Sequence, residues 1–238
     1  MSSEGEQTSS SQAFLSPTPW DKKAFGINTY EITEYTESAL NYASTMEGHF
    51  TLRVDPLASK KLLVDHGFYY CDTLLEPFAR QNSFIPFHHD SMEISTTVPL
   101  SSLLEICDGA FAYGRFHRDF NLNPIAADER YNNWLSQLYE ESTVFALLHE
   151  RQVAGFFACI GGKIVLHALA DDFKGKGLAK YFWSRACTEL FKNGHPELSS
   201  SVSAANLAVM NLYISLGFRF RNPCEVYHKY NPSIITHT

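Results

Sequence analysis

The stretch Lys174-Gly-Lys-Gly-Leu-Ala179 joins an apolar run to a segment with helical periodicity. The run before it is Lys163-Ile-Val-Leu-His-Ala-Leu-Ala170, and apolar residues after it recur on one face of a 3.6-residue period. A strand, a glycine turn and a helix start in this order create an anion site, because the first N–H groups of a helix have no partner within it. We expect Gly175 and Gly177 to let a phosphate approach the backbone, and the two lysines of the loop to add positive charge.

The composition indicates a globular protein with a sizeable core. Of the 238 residues, 45% are hydrophobic and 14% aromatic, and the formal net charge is −7. Binding to nucleic acid or to an anionic membrane usually needs a basic face, so this balance argues against both partners. No window approaches the roughly 18 apolar residues of a membrane span, and the polar start does not resemble a secretory signal. We expect a cytoplasmic protein with a disordered tail over residues 1–18.

Cysteine and histidine spacing indicates neither a disulfide framework nor a metal site. The five cysteines are an odd number without a CxxC pair, which is typical of free thiols in a reducing cytosol. The ten histidines show no HExxH spacing. His88-His89-Asp90 lies in a polar stretch flanked by proline, where we expect a solvated loop. The sequence therefore predicts no metal.

Patterning along the chain predicts alternating strands and helices. Asp55-Pro56 predicts the start of a helix that ends at Gly67, and the polar residues 76–97 predict a linker. The order strand, helix, Gly-Phe, strand occurs twice, first with Gly67-Phe68 and again with Gly217-Phe218. A helix–Gly–strand join is common, so the repeat fits coincidence as well as a degenerate first domain that kept its packing.

The chain from Gln152 onward resembles the GNAT superfamily of acyl-CoA-dependent N-acetyltransferases. The pyrophosphate loop of that family is written Gln/Arg-x-x-Gly-x-Gly/Ala, and the stretch 174–179 departs from it only by a lysine at the first position. More specifically, the segment from Asn206 through Tyr213 to Gly217-Phe218 is similar to the family's Asn-x(6)-Tyr-x(3)-Gly-Phe signature. The resemblance implies an α/β (α+β) fold whose central sheet is mixed, mostly antiparallel and flanked by helices.

The resemblance also implies acetyl-CoA as the cofactor that donates the acyl group. Tyr213 would be the general acid that protonates the leaving thiolate, although a role as a core aromatic is the alternative. Asn206 would either bond the cofactor arm or cap its helix. Strands that splay at Leu169 and Ser201 would leave a slot for the pantetheine arm. The backbone groups expected to hold the thioester and pyrophosphate belong to Leu169, Lys174, Gly175, Lys176, Gly177, Leu178, Ala179 and Lys180.

A closer resemblance reaches the first half of the chain. Pro19-Trp-Asp-x-x-x-Phe-Gly26 resembles the opening of the TDP-fucosamine acetyltransferase group, two-domain GNAT enzymes that act on TDP-4-amino-sugars for surface polysaccharide. Gly67-Phe-x-x-x-Asp72 and Gly114-Arg-Phe116 are similar to further positions of that group. This resemblance implies a smaller, partly GNAT-like α/β domain over residues 19–97, an acetyltransferase domain over residues 98–238 and a homodimer.

The same group implies that the acceptor is the amine of a nucleotide-linked sugar. Asp72 matches an acidic position of the group and is the candidate base that deprotonates the ammonium, with His117 as a competing candidate. Arg115 and Arg118 would hold the diphosphate, because arginine suits bidentate phosphate contacts. Two alternatives stay open. One is acetylation of another small amine, a peptide or a protein; the other is a non-catalytic acyl-CoA-binding or sensing module, which would not need an acid at Tyr213.

Overall fold

The computed structural model describes residues 14–232, and the chain divides into two compact units. Among the described residues, the first unit comprises 14–73, 115–130 and 223–232, and the second comprises 74–114 and 131–222. No helix among the described residues is both long and apolar enough to cross a membrane. All five cysteines are free thiols, four of them buried and Cys224 partly buried.

The first unit contains a small mixed sheet. Its strands are β1, β2, β3 and the later part of β11, in that order. β1 pairs antiparallel with β2, β2 pairs parallel with β3, and β3 pairs antiparallel with β11. The bounds are Leu15–Pro17 for β1, Thr29–Ile32 for β2, Gly48–Val54 for β3 and Arg219–Asn231 for β11.

Three short helices accompany this sheet, and two of them contribute buried residues to its apolar core. In α2 the Thr36 side chain caps the helix by accepting from the Ala39 N–H at 3.3 Å. Strand alternation turns Phe50 and Leu52 of β3 to the same face, where they share a core with buried Leu40 of α2. The bounds are Pro19–Phe25 for α1, Glu37–Ser44 for α2 and Lys61–Asp65 for α3.

The second unit is built on a larger sheet with the strand order β4-β9-β8-β7-β6-β5, and β10 pairs with β4. Neighbours are antiparallel except β8 and β9, which are parallel. This confirms the predicted mixed, mostly antiparallel sheet. The bounds are Tyr69–Arg80 for β4, Met92–Ser95 for β5, Thr143–His149 for β6, Gln152–Ile160 for β7, Lys163–Leu169 for β8, Glu197–Ser199 for β9 and Val202–Ser203 for β10.

Helices cover both faces of the larger sheet. On β6, Phe145 and Leu147 share a core with α6 and α7, whereas Val144 and Ala146 share one with α4 and α5. The period of two in a strand explains this division, because adjacent side chains point to opposite faces. The bounds are Leu100–Cys107 for α4, Pro124–Glu141 for α5, Ala179–Lys192 for α6 and Leu207–Ser215 for α7.

Three expectations about local structure are wrong. Leu15–Pro17 form strand β1 where a tail was predicted, while residues 1–13 lie outside the described part of the chain. The predicted linker at 76–97 holds the end of β4 and all of β5. The helix expected from Asp55 shortens to α3, because the Asp55 carboxylate accepts from the Leu57 N–H at 2.8 Å in a local turn. The domain boundary near residue 97 stays a prediction.

Gly217, which ends α7, is expected to be intolerant of any side chain. Its φ is +80°, and an added Cβ would lie 2.1 Å from the Ser83 carbonyl oxygen. The left-handed backbone and the clash with a carbonyl both oppose substitution, so Gly217→Ala should lower the free energy of unfolding by at least about 2 kcal/mol. Gly194→Ala is the matched control, since φ there is +88° but nothing lies within 4 Å. Urea unfolding should show that the control loses only about 1 kcal/mol of unfolding free energy. Equal losses in the two variants would contradict the predicted clash at Gly217.

Candidate active site

The predicted glycine loop connects β8 to α6. β8 ends at Leu169, a 3-10 turn covers Asp171–Phe173, and α6 begins at Ala179. Gly175 and Gly177 have φ values of +71° and +72°, in the left-handed region that glycine adopts without strain. A Cβ added at either position would meet no heavy atom within 4 Å. The space into which these two Cβ atoms would project is therefore free of protein atoms.

α6 starts without a side-chain cap. The residue at its N-cap is Leu178, which has no polar atom to offer to the first N–H groups. The N-terminal end of a helix carries unpaired N–H donors and a partial positive charge, so it favours an anion. The first N–H groups of α6 therefore have no side-chain acceptor at the N-cap, and the role of Leu178, Ala179 and Lys180 in holding a pyrophosphate stays a prediction.

The lysines of the loop differ in their surroundings. Lys174 donates to the Asp171 carboxylate at 2.7 Å, and this exposed pair lowers the pKa of Asp171. The Lys180 ammonium lies 4.9 Å from the ring centroid of Phe87. Within residues 14–232, Lys176 makes no ion pair, so it is the lysine of this loop whose charge is most available to a ligand.

Strands β8 and β9 separate near the start of β8. Their parallel pairing is confined to Lys163 with Ser199, after which the Ser200 hydroxyl donates to the Ile164 carbonyl at 2.9 Å. The chain then leaves β8, and β10 pairs with β4 instead. The later residues of β8, up to Leu169, therefore have no strand partner on that side in the described chain. Such an opening leaves backbone N–H and C=O groups for an extended ligand.

Tyr213 lies in the core between α6, α7 and the sheet. It is 0% exposed, and its hydroxyl is 3.2 Å from Nε2 of His167 on β8. Its ring packs on Phe218 at a centroid distance of 4.9 Å, and Trp183 belongs to the same core. Burial raises the pKa of Tyr213 above its usual range, against a smaller opposite effect of the Ser200 hydroxyl. The phenol therefore stays protonated at neutral pH.

His167 is the partner that the sequence interpretation missed. Its ring packs against Trp183 at 4.8 Å between centroids, and burial lowers its pKa to about 4, so the imidazole is neutral. Alternation along β8 places His167 and Leu169 on the same face, which was the available signal. The facing of His167 with Tyr213, 46 residues later, depends on tertiary packing.

We expect His167 to make the protein less stable as the pH falls. Its pKa of about 4 in the folded state lies below the ordinary 6.5, so the unfolded chain takes up the proton first. The free energy of unfolding is therefore highest above pH 6.5 and falls as the pH is lowered toward about 4. At pH 5 the loss should reach about 2 kcal/mol. Urea unfolding at about pH 7.5 and about pH 5 should show a larger loss for the wild type than for His167→Gln. His88→Gln, at an exposed position, is the control and should lose as much stability between the two pH values as the wild type does.

Asn206 is the N-cap of α7. Its Oδ1 accepts from the Val209 N–H at 3.2 Å, which confirms the capping alternative. A bond to a cofactor arm would compete with this cap. Leu169 is buried at the end of β8, opposite Gly155 of β7, where an added Cβ would meet the Ala168 carbonyl at 2.3 Å.

The residues predicted to handle the acceptor all lie in the first unit. Asp72 of β4 is 3% exposed, and its carboxylate is 2.6 Å from an Arg118 guanidinium nitrogen. His117 Nε2 is 2.9 Å from the Asp128 carboxylate, and the Arg115 guanidinium lies 4.6 Å from the ring centroid of Phe116. The structure thus brings Asp72 and Arg118 together, and it places Tyr213 and the loop in the second unit.

Comparison with known proteins identifies the architecture. No protein-family model and no curated protein matches the chain. A GCN5-related N-acetyltransferase from Sphaerobacter thermophilus matches with a TM-score of 0.58 and 14% identity, over 80% of this chain and 62% of that one. A GNAT-family acetyltransferase from Colwellia psychrerythraea matches with a TM-score of 0.56 and 12% identity, over 86% of this chain and 80% of that one. A tandem GNAT protein from the clavulanic acid biosynthesis pathway matches with a TM-score of 0.53 and 10% identity, over 86% of this chain and 76% of that one. The chain has the GNAT fold.

Proposed function

We propose that this protein is an acetyl-CoA-dependent N-acetyltransferase. The observation that carries the proposal is the coincidence of two features in the second unit. The open glycine loop leads into an uncapped helix start, and β8, the strand that precedes the loop, separates from β9 after its first residue. A phosphate-binding loop beside a gap in a sheet suits a ligand that has a pyrophosphate and an extended amide-containing arm.

Residues of this unit supply the groups that acetyl-CoA binding would need. Loop N–H groups at Gly175, Gly177 and the start of α6 would hold the pyrophosphate, with Lys176 as the nearby cation. The unpaired edge of β8 up to Leu169 would bond the amides of the pantetheine arm. When bound, acetyl-CoA supplies a thioester carbonyl that an amine can attack directly.

Tyr213 would donate a proton to the sulfur that leaves. A phenol with a raised pKa is a weak acid, but a thiolate in the same dry core is a stronger base than in water. Cys159, buried in that core, illustrates the effect, since burial raises the pKa of its thiol to about 12. Phenol and leaving thiolate thus shift in the same direction and stay matched. The neutral His167 imidazole holds the phenol in place at 3.2 Å.

For the acceptor we propose the amine of a nucleotide-linked sugar, with Asp72 as the base. The Arg118 guanidinium engages the Asp72 carboxylate at 2.6 Å. A diphosphate would attract Arg118 and Arg115, because arginine binds phosphate bidentately. Asp72 would then be released to deprotonate the ammonium only when the nucleotide is bound.

Thiol release from acetyl-CoA with a panel of amines tests these proposals. The panel comprises TDP-4-amino-sugars, amino acids, polyamines and a peptide with a free N-terminus. We expect amine-dependent release that is fastest with a nucleotide amino-sugar and is inhibited by the free nucleoside diphosphate. Fast release with another amine would overturn the acceptor alone.

Acetyl-CoA binding by calorimetry separates the remaining possibilities. Binding without turnover across the panel would favour a non-catalytic acyl-CoA-binding or sensing module, a role that the complete burial of Tyr213 also permits. Failure to bind acetyl-CoA at all would refute the acetyltransferase proposal.

A further inference from the structure

A second cluster of chemically active side chains lies in the first unit, and none of its three members has a role in the proposed transfer. His49, Asp119 and His228 are 2%, 2% and 0% exposed. Nε2 of His49 and Nδ1 of His228 lie 2.8 Å and 2.7 Å from the same carboxylate oxygen, Oδ2 of Asp119. The three ligand-type atoms all lie within 4.8 Å of one another.

The register of two strands explains why the histidines meet. β3 and β11 pair antiparallel, with Thr51 opposite His228 and His49 opposite Tyr230. His49 and Thr51 point to the same face of β3, so the two histidines are diagonal neighbours across the strands. That face is opposite to the one with Phe50, which packs in the apolar core. Asp119 approaches from the irregular segment before α5.

Charge distinguishes Asp119 from the other buried carboxylates of this unit. Asp21 is paired with Arg130, and Asp72 with Arg118. Within residues 14–232, Asp119 has no arginine or lysine ion pair, and its ion-pair partners are the two imidazoles. A buried charge is costly unless it is paired or coordinates a metal. The ion-pair partners of Asp119 are therefore imidazoles, which are also metal ligands.

We propose that His49, Asp119 and His228 bind a divalent transition-metal ion that fastens β3 and β11 to the segment carrying Asp119. Two imidazoles and one carboxylate are a donor set that first-row metals prefer. With metal–ligand bonds near 2.1 Å, adjacent octahedral donors are about 3.0 Å apart and tetrahedral donors about 3.4 Å. The observed 2.7 Å and 2.8 Å are nearer the octahedral value.

The surroundings of the cluster support a structural metal site. The Tyr69 hydroxyl donates to Asp119 at 2.9 Å and the Asn121 N–H donates at 2.9 Å, so the carboxylate is oriented by a second layer of bonds. The side chains are fully enclosed, which suits a structural ion better than a substrate-accessible one. Cys71 is buried close by, but its sulfur does not belong to the converging group.

Metal content and chelator sensitivity of the wild-type full chain test the proposal directly. The chain is purified with its affinity tag removed and analysed by inductively coupled plasma mass spectrometry. We expect about one transition-metal ion per chain, a lower Tm after dialysis against a chelator and recovery of the Tm with Zn²⁺. The absorption spectrum of the Co²⁺-loaded chain should show nitrogen and oxygen ligands. A metal-free chain whose Tm responds to neither chelator nor Zn²⁺ would overturn the proposal.

Variants assign the donors, with exposed His88 as the control. Asp119→Asn and His228→Gln should each weaken Zn²⁺ binding at least 100-fold, whereas His88→Gln, whose side chain is 86% exposed, should bind as the wild type does. Unchanged binding in both donor variants, or a thiolate band in the Co²⁺ spectrum, would place the metal elsewhere and refute this site. If a variant does not fold, the wild-type stoichiometry and Tm still decide.

Discussion

Tyr213→Phe is expected to lower kcat for acetyl transfer by roughly 10²-fold or more while CoA affinity stays unchanged. The substitution removes one hydroxyl and leaves the ring, so the contact with Phe218 and the closed core are kept. What disappears is the proton donor for the leaving thiolate. A loss confined to kcat is the signature of a group that acts in the transition state.

A matched control separates this role from a general effect of losing a hydroxyl. Tyr181→Phe removes the same hydroxyl group from α6. The centroid of the Tyr181 ring lies 6.2 Å from that of Phe87 and 5.2 Å from that of His89. It should leave kcat within about twofold. Steady-state kinetics and CoA calorimetry on both variants give the comparison. Unchanged turnover in Tyr213→Phe would remove Tyr213 from the mechanism and leave it a core aromatic.

The loop and its helix could be predicted because their determinants are local. Gly175 and Gly177 adopt the left-handed conformation that their lack of a side chain permits, and the apolar period after them fixes the buried face of α6. The same holds for the cap at Asn206, whose bond spans three residues. Tyr213 could be assigned to a helix, but its contact with His167 depends on how α7 packs on β8.

The polar stretch at 76–97 shows why composition misled the prediction. The charged residues of β4 that suggested a linker form ion pairs with other residues of the second unit. Glu76 pairs with Arg221 at 2.7 Å, and Arg80 pairs with Glu197 at 3.1 Å. A strand with polar side chains is stable when such pairs and the ladder with β9 satisfy it. No pattern within the stretch indicates partners more than 100 residues away.

The His49, Asp119 and His228 cluster escaped detection for the same reason. Its members are separated by 70 and 109 residues, so no spacing motif could connect them. Their meeting depends on the register of β3 with β11 and on the path of the segment before α5. Metal-site motifs detect ligands on one helix or hairpin, whereas this arrangement draws on three separate parts of the chain.

Gly177→Val is expected to weaken acetyl-CoA binding by roughly 10- to 100-fold, because charge-assisted bonds from loop N–H groups would be lost. The space where a Cβ would project holds no protein atom within 4 Å, so the valine would occupy the volume assigned to the pyrophosphate. Because φ is +72°, a valine at this position also strains the backbone. That strain is the defect of the fold that would imitate a loss of binding.

Gly194→Val isolates that strain from the loss of the ligand site. Gly194 has a φ of +88°, has equally open surroundings and follows α6 at its other end. The two variants should therefore lose similar stability, while only Gly177→Val should lose affinity for acetyl-CoA. Calorimetric titration at a temperature where both are folded gives the comparison. Wild-type affinity in Gly177→Val would mean that no phosphate approaches the loop, and the acetyl-CoA assignment would fail even if the GNAT fold is shared.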